Sequence, residues 1–308
     1  MRICSLLPSA TEIAFALGLG DQVVGVSHEC DHPPEASKRH ILTKSAIHQK
    51  IHRGLEVDWE VEQLGGDIYE IDENLLEKLK PDLILTQELC HVCAVSYTKV
   101  KEAARVLDAD MKIVSLEPTN LEEIVDNILL VGRITGKIVE AEKLASQTLQ
   151  RTNRVKEKTR TARNQPRVFF MEWLQPPWTG GHWIPQMIDY AGGIDGLGRL
   201  GKPSHRIGWD EVVEYNPEVI VLSPCGLDAR RAMEEAHVLG AYRGWENIAA
   251  FQSSRIYAVN GSAYFSRSGP RVVDGLEILA HIIHPELFPE NPHPESLGIV
   301  PKEIIRTA

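Results

Sequence analysis

Apolar and polar positions along the chain fall into short strand-like runs separated by helical stretches. Residues 2–7 form an apolar run that stops at Pro8, the pattern of a buried strand entering a loop. Ser9 and Glu12 stand three apart, as in a capping box, and Ile13, Phe15, Ala16 and Leu17 supply an apolar face. A helix is therefore predicted over residues 10–17, with Gly18 and Gly20 at its C-terminal cap and a second strand over residues 22–27. Farther on, residues 74–80 read as a helix stopped by Pro81 and residues 82–86 as a central strand. Residues 97–107 carry Val100, Ala103, Ala104 and Leu107 on one helical face, and residues 111–116 make a further strand.

From residue 121 to about residue 158 turn signals nearly vanish, and apolar residues from Leu121 to Leu149 step by three or four. This pattern predicts one long helix, weakened only locally by Gly132 and Gly136, with a length of about 55 Å. The strand-and-helix alternation restarts at residues 167–173, and Lys80-Pro81-Asp82-Leu83-Ile84-Leu85 is echoed by Asn216-Pro217-Glu218-Val219-Ile220-Val221. The fold class expected is α/β: two Rossmann-like lobes joined by a long rigid helix, with a ligand cleft between the lobes. Residues 1–118 form the first lobe, 119–160 the bracing helix, 161–290 the second lobe and 291–308 an irregular tail rich in proline. Ligands of such sheets sit beyond the carboxyl ends of strands, here the loops starting near Pro8, Glu88, Gln175 and Ser223.

Composition narrows the function. The 308 residues include 33 basic and 43 acidic side chains, a net charge of −10, which argues against nucleic acid as a partner. No apolar run approaches the roughly 20 residues of a spanning helix, and the first residues show no basic leader with an apolar core, so a cytoplasmic location is expected. A periplasmic or cell-surface location is the alternative if an export signal lies outside the sequence. Five cysteines, an odd number in a long chain, point to reduced thiols or a metal site rather than a disulfide framework.

Motifs for catalysis are missing. Gly196 to Gly201 formally fits Gly-x-Gly-x-x-Gly, but it follows a turn rather than a strand and leads into Lys202-Pro203. The sequence contains no nucleophile elbow and no His-Glu-x-x-His pair, so an enzyme is not expected.

The run Ser5-Leu6-Leu7-Pro8-Ser9-Ala10-Thr11-Glu12-Ile13 resembles the first strand–helix unit of the cobalamin and iron-siderophore substrate-binding proteins of ABC importers. Leu17-Gly18-Leu19-Gly20-Asp21, Cys30-Asp31-His32-Pro33 and Leu79-Lys80-Pro81-Asp82-Leu83-Ile84 continue the resemblance, which is strongest to the cobalamin-binding branch. It implies a corrinoid held between two lobes and delivered to a membrane permease.

In that light residues 173–183 stand out, with three tryptophans and a histidine on one strand-to-helix loop. Indole faces bury much area with little lost rotamer freedom, which suits a large flat ligand, and Gly180 and Gly181 allow close backbone approach. Trp178 and His182 are the foremost ligand-binding candidates, with Trp183, Trp209, Tyr264 and Phe265 beside them; Ser9 and Glu88 are those of the first lobe. No histidine lies in an Asp-x-His-x-x-Gly cobalt-ligating motif, which leaves His182 as a potential upper ligand by position alone. A rival reading places Zn or Fe on Cys30, Cys90, His91 and Cys93, since a Cys-x-x-Cys pair can put two thiolates on one metal, and makes the protein a metal-dependent sensor or enzyme.

Overall fold

The computed structural model describes residues 1–45, 69–88, 100, 102–103 and 111–306. The chain divides into two compact units, the first of residues 1–118 and 122–147, the second of residues 119–121 and 148–308.

In the first unit, β1 (Ile3–Ser5), β2 (Val23–Val26), β3 (His40–Ile41), β6 (Leu83–Thr86) and β7 (Lys112–Ser115) form one parallel sheet in the order β3-β2-β1-β6-β7. β4 (Thr43–Ser45) and β5 (Tyr69–Ile71) pair separately and antiparallel. Alternation along the strands decides which face each residue covers. Ile3, Leu83 and Leu85 join the cluster formed with α1 (Pro8–Ala16) and with α3 (Leu121–Thr135). Cys4, Leu6 and Ile84 join the opposite cluster with α2 (Glu73–Leu79). Both faces are covered, as the continuous apolar strands require.

Three local expectations are corrected. α1 begins at Pro8, whose fixed φ suits the first helical turn, so Ser9 lies inside the helix, the N-cap residue is Leu7, and no side chain caps the start. The single long helix is two, α3 and α4 (Ile138–Thr159), because Gly136 takes a left-handed φ of 72°. A Cβ on Gly132 would lie 2.3 Å from Ala141 Cβ, so the glycine lets the start of α4 pack closely against α3. The tail is not irregular: β12 (Leu297–Ile299) pairs antiparallel with β11 (Ile256–Val259), and α11 (Lys302–Arg306) seats Ile305 in the core. Most of the helix expected over residues 97–107 lies outside the described residues.

The second unit holds the sheet β12-β11-β10-β8-β9, in which β8 (Val168–Trp173), β10 (Val219–Leu222) and β11 are parallel. β9 (Trp178–Thr179) folds back antiparallel onto the end of β8. Phe169, Met171, Ile220, Leu222 and Ala258 share one core cluster with α6 (Trp209–Tyr215) and α7 (Ala229–Glu235). α10 (Val272–Ile283) buries nine of its twelve residues, and its acids Asp274 and Glu277 take the Arg151 guanidinium of α4 at 2.5–3.0 Å.

The faint sequence repeat is an atomic one. Lys80 and Asn216 end α2 and α6 in left-handed conformations, at φ 43° and 50°, and each leads through a proline into a central strand. The Arg2 N–H donates to Asp82 Oδ2 at 2.6 Å, as the Arg167 N–H donates to Glu218 Oε2 at 3.0 Å. The same two arginines donate Nε to the carbonyls of Leu79 and Asn216.

Candidate functional site

The carboxyl ends of β8 and β10 lie side by side, with the Ser223 N–H bonded to the Met171 carbonyl and the Cys225 N–H to that of Glu172. From β8 the chain turns through Pro176 and Pro177 into β9, so that Trp173 pairs with Trp178. Thr179 donates its N–H to the His205 carbonyl and holds His205 Nδ1 at 3.0 Å through its hydroxyl. His182 takes a left-handed φ of 50°, locked on both sides: its N–H donates to the Lys202 carbonyl at 2.7 Å and its own carbonyl accepts from Gly201. Gly180 and Gly181 do make close approaches, within this unit to the chain itself. A Cβ on Gly181 would meet Ser204 N at 2.2 Å, and one on Gly180 would meet Ile184 of α5 (Ile184–Tyr190) at 2.5 Å.

Buried polar atoms without a hydrogen-bond partner concentrate on these segments. Among the described residues they include Glu172 Oε2, Trp173 Nε1, Trp178 Nε1, His182 Nε2, Trp209 Nε1 and Ser223 Oγ. A buried group left without a partner costs about 1–3 kcal/mol, and six such atoms, each sealed from solvent, fall in this region. The Arg206 guanidinium lies 5.6 Å from the Trp178 ring centre, and Trp209 stacks on Tyr242 at 4.4 Å.

Burial favours the uncharged forms of Glu172 and His182. Burial raises the Glu172 carboxyl to about 8, helped by the nearby Cys225 and opposed by the Ser204 hydroxyl and the Gly181 N–H, both of which donate to it. Glu172 keeps some exposed surface as a residue while its Oε2 is sealed. Burial also lowers His182, so its imidazole is uncharged at neutral pH.

The other expected residues fall elsewhere. Trp183 is 7% exposed and donates its indole N–H to the Phe265 carbonyl, while Phe265, 1% exposed, packs on Phe170. Tyr264 is buried against the His293 ring and beneath Arg271. Ser9 is buried in α1, and Glu88 is exposed just past β6. Cys30 is buried, with the Thr11 hydroxyl 3.1 Å from its sulfur. Cys90, His91 and Cys93 lie outside the described residues, among which no group of three or more His, Cys, Asp or Glu side chains is arranged to hold a metal ion. Glu172 escapes the sequence reading, in which Trp173 enters only as part of the tryptophan-rich run and Ser223 only as the start of a loop. The available signal was a carboxylate inside the otherwise apolar run Val168-Phe169-Phe170-Met171-Glu172-Trp173.

Known proteins share this architecture. The chain is 28% identical over 280 residues to a vitamin B12-binding protein of Vibrio cholerae, covering 90% of this chain and 86% of that one. It is 27% identical over 300 residues to the uncharacterized ABC transporter substrate-binding lipoprotein YvrC of Bacillus subtilis, covering 94% and 82%. Among solved structures, the periplasmic vitamin B12 binding protein BtuF of Vibrio cholerae superposes with a TM-score of 0.65 at 23% identity, covering 92% of this chain and 96% of that one. The periplasmic heme-binding protein RhuT from Roseiflexus superposes at 0.68 and 21%, covering 93% and 98%. These relatives give no support to a cytoplasmic location and do not favour the metal-sensor alternative. Residues 3–263 match the family described as periplasmic binding protein, and the chain belongs to that family.

Proposed function

We propose that the protein is the extracytoplasmic substrate-binding component of an ABC-type importer, that it binds a corrinoid or a closely related metal chelate, and that it passes this cargo to a permease without chemical change. The observation that carries the reading is the set of buried, unpartnered polar atoms beside Trp173 and Trp178 at the strand ends of the second unit. Two indoles offer a broad apolar face, and the polar atoms around them are mostly neutral donors, which suits a large flat ligand with oxygen acceptors at its edge. The B12-binding relatives point the same way, while heme-binding proteins share only the fold.

Equilibrium dialysis of the purified protein against cyanocobalamin, followed by visible absorbance, with hemin and a ferric siderophore as competitors, tests this directly. Binding at micromolar concentration or better, displaced by neither competitor, is the expected result. Failure to bind any of the three ends the reading.

A further inference from the structure

One stretch of the second unit is charged against the balance of the chain. Residues 196–209 hold Arg199, Lys202 and Arg206 and no acid, in a protein of net charge −10. The stretch runs antiparallel to residues 177–182. The Ile207 N–H donates to the Pro177 carbonyl, the Thr179 N–H to that of His205 and the His182 N–H to that of Lys202. Trp178 and Arg206 face each other across this ladder, with the guanidinium 5.6 Å from the indole centre. The backbone thus lays three cations along the edge of the tryptophan segment.

All three cationic side chains are exposed, and Trp178 keeps part of its surface open. Arg199 is close enough to His205 for its charge, second to burial, to hold that imidazole below its ordinary value. The acids nearest the stretch serve the backbone instead. Asp195 Oδ1 accepts from the Leu197 and Gly198 N–H groups, and Glu211 Oε1 accepts from the Gly208 N–H. Arg199 and Lys202 make no ion pair among the described residues. Three like charges within eight residues repel one another, and an anion set among them relieves the repulsion.

We propose that Arg199 and Lys202 are specificity-determining residues that take the phosphodiester of a complete corrinoid whose ring lies against Trp178. The assignment rests on the corrinoid reading and deepens it. Guanidinium and ammonium groups bond well to phosphate oxygens, and an open indole beside them suits a ligand that is flat at one end and anionic at the other. Cobalamin has that form, since its nucleotide tail carries one phosphodiester. Cobinamide keeps the ring and lacks the tail, so these cations select the complete ligand over its truncated form.

The test is equilibrium dialysis against cyanocobalamin and dicyanocobinamide at about 0.02 M and about 0.5 M sodium chloride. Wild type should bind cyanocobalamin about tenfold more tightly than dicyanocobinamide at low salt, and the gap should shrink to about threefold at high salt. The double variant Arg199→Gln, Lys202→Gln should lose about tenfold in affinity for cyanocobalamin, about threefold for each cation, and less than about twofold for dicyanocobinamide. Arg206 stays in place because it also covers Trp178. The nucleotide tail carries a base as well as the phosphodiester, so the deciding quantity is the change in the affinity ratio on substitution, not the ratio itself.

A ratio that neither the double substitution nor salt alters overturns the phosphodiester contact and leaves the corrinoid reading standing. Binding of neither corrinoid overturns both. Heme carboxylates would suit the same cations, so hemin is titrated in parallel. Hemin binding tighter than cyanocobalamin binding, and weakened by the same substitutions, overturns the assignment together with the corrinoid reading. Near-ultraviolet circular dichroism checks that the double variant is folded, and the two single variants are read in the same way if it is not.

Discussion

The two units repeat one scaffold down to the arginine that ties the first strand to the acid before the central strand, yet among the described residues their strand ends are furnished differently. At the carboxyl ends of β1 and β2 the polar side chains are small and satisfied by one another. The Thr11 hydroxyl lies 2.8 Å from Ser5 Oγ and 3.1 Å from Cys30 Sγ, and Thr43 lies 3.1 Å from Ser27 Oγ and 2.7 Å from His28 Nδ1. The exception there is His28 Nε2, which has no hydrogen bond and sits 3.3 Å from Glu29 Oε1. At the ends of β8 and β10 the side chains are large and aromatic, and their polar atoms lack partners. Hydrogen bonds saturated within the chain hold loops in place, whereas buried polar atoms left without one cost stability. Since the scaffold is common to both units, the difference belongs to the loops it carries and not to the fold.

The sharpest way to break this comparison is Trp178→Ala. An indole in contact with a large ligand buries on the order of 150–250 Å², and its loss at a binding surface costs roughly 3 kcal/mol, or about a hundredfold in affinity. Dialysis against cyanocobalamin should show that loss with little change in thermal unfolding, because Trp178 pairs on a two-residue strand rather than filling a core cluster. Unchanged affinity with a large drop in Tm would make the loop a structural plug and remove the contrast between the units.

A smaller effect concerns stability without ligand. The Glu172 carboxyl is raised to about 8 in the folded state, above its unfolded value, so folding takes up a proton between about pH 4.5 and pH 8. The stability linked to that proton is fully present below the unfolded pKa and is lost as pH rises through the folded one. Glu172→Gln escapes the loss. Its Tm should match wild type at pH 4.5 and exceed it by roughly 5 °C at pH 8, reflecting on the order of 2 kcal/mol. Partial exposure of the residue keeps this below the full slope of about 1.4 kcal/mol per pH unit. Melting curves by circular dichroism across that range check it, and a difference independent of pH would show that the buried acid is ionised throughout.

Much of the fold was legible in the chain because it rests on local rules. The short apolar runs at residues 2–7, 82–86 and 167–173 mark strands, and Pro81 and Pro217 mark the same cap in both units. The break between α3 and α4 was visible as Gly136 but not decidable, since a glycine weakens a helix without ending it until its neighbours demand a left-handed φ. Ser9 misled as a cap because Pro8 had already opened the helix. In the site, Trp178 and His182 drew attention through composition and loop position. Glu172 did not, because its significance lies in a carboxyl oxygen without a partner, a tertiary fact that no spacing encodes. Trp183 shows the converse: the same residue type on the same loop has its indole N–H taken by the Phe265 carbonyl, and sequence cannot tell the two apart.

The smallest effect tests the other side of the comparison. Thr11 is fully buried in α1, and its hydroxyl serves Ser5, Cys30 and the Leu7 carbonyl, so the network is closed. Thr11→Val keeps the volume and removes the hydroxyl, leaving Ser5 Oγ with its own donation to Leu7 but without the threonine partner. The loss should be about 1 kcal/mol of stability, read as a few degrees in Tm. Cyanocobalamin affinity should hold within a factor of two, because nothing in the network is left open for a ligand. A selective loss of affinity at unchanged Tm would place the ends of β1 and β2 among the binding surfaces and make the closed network part of the site.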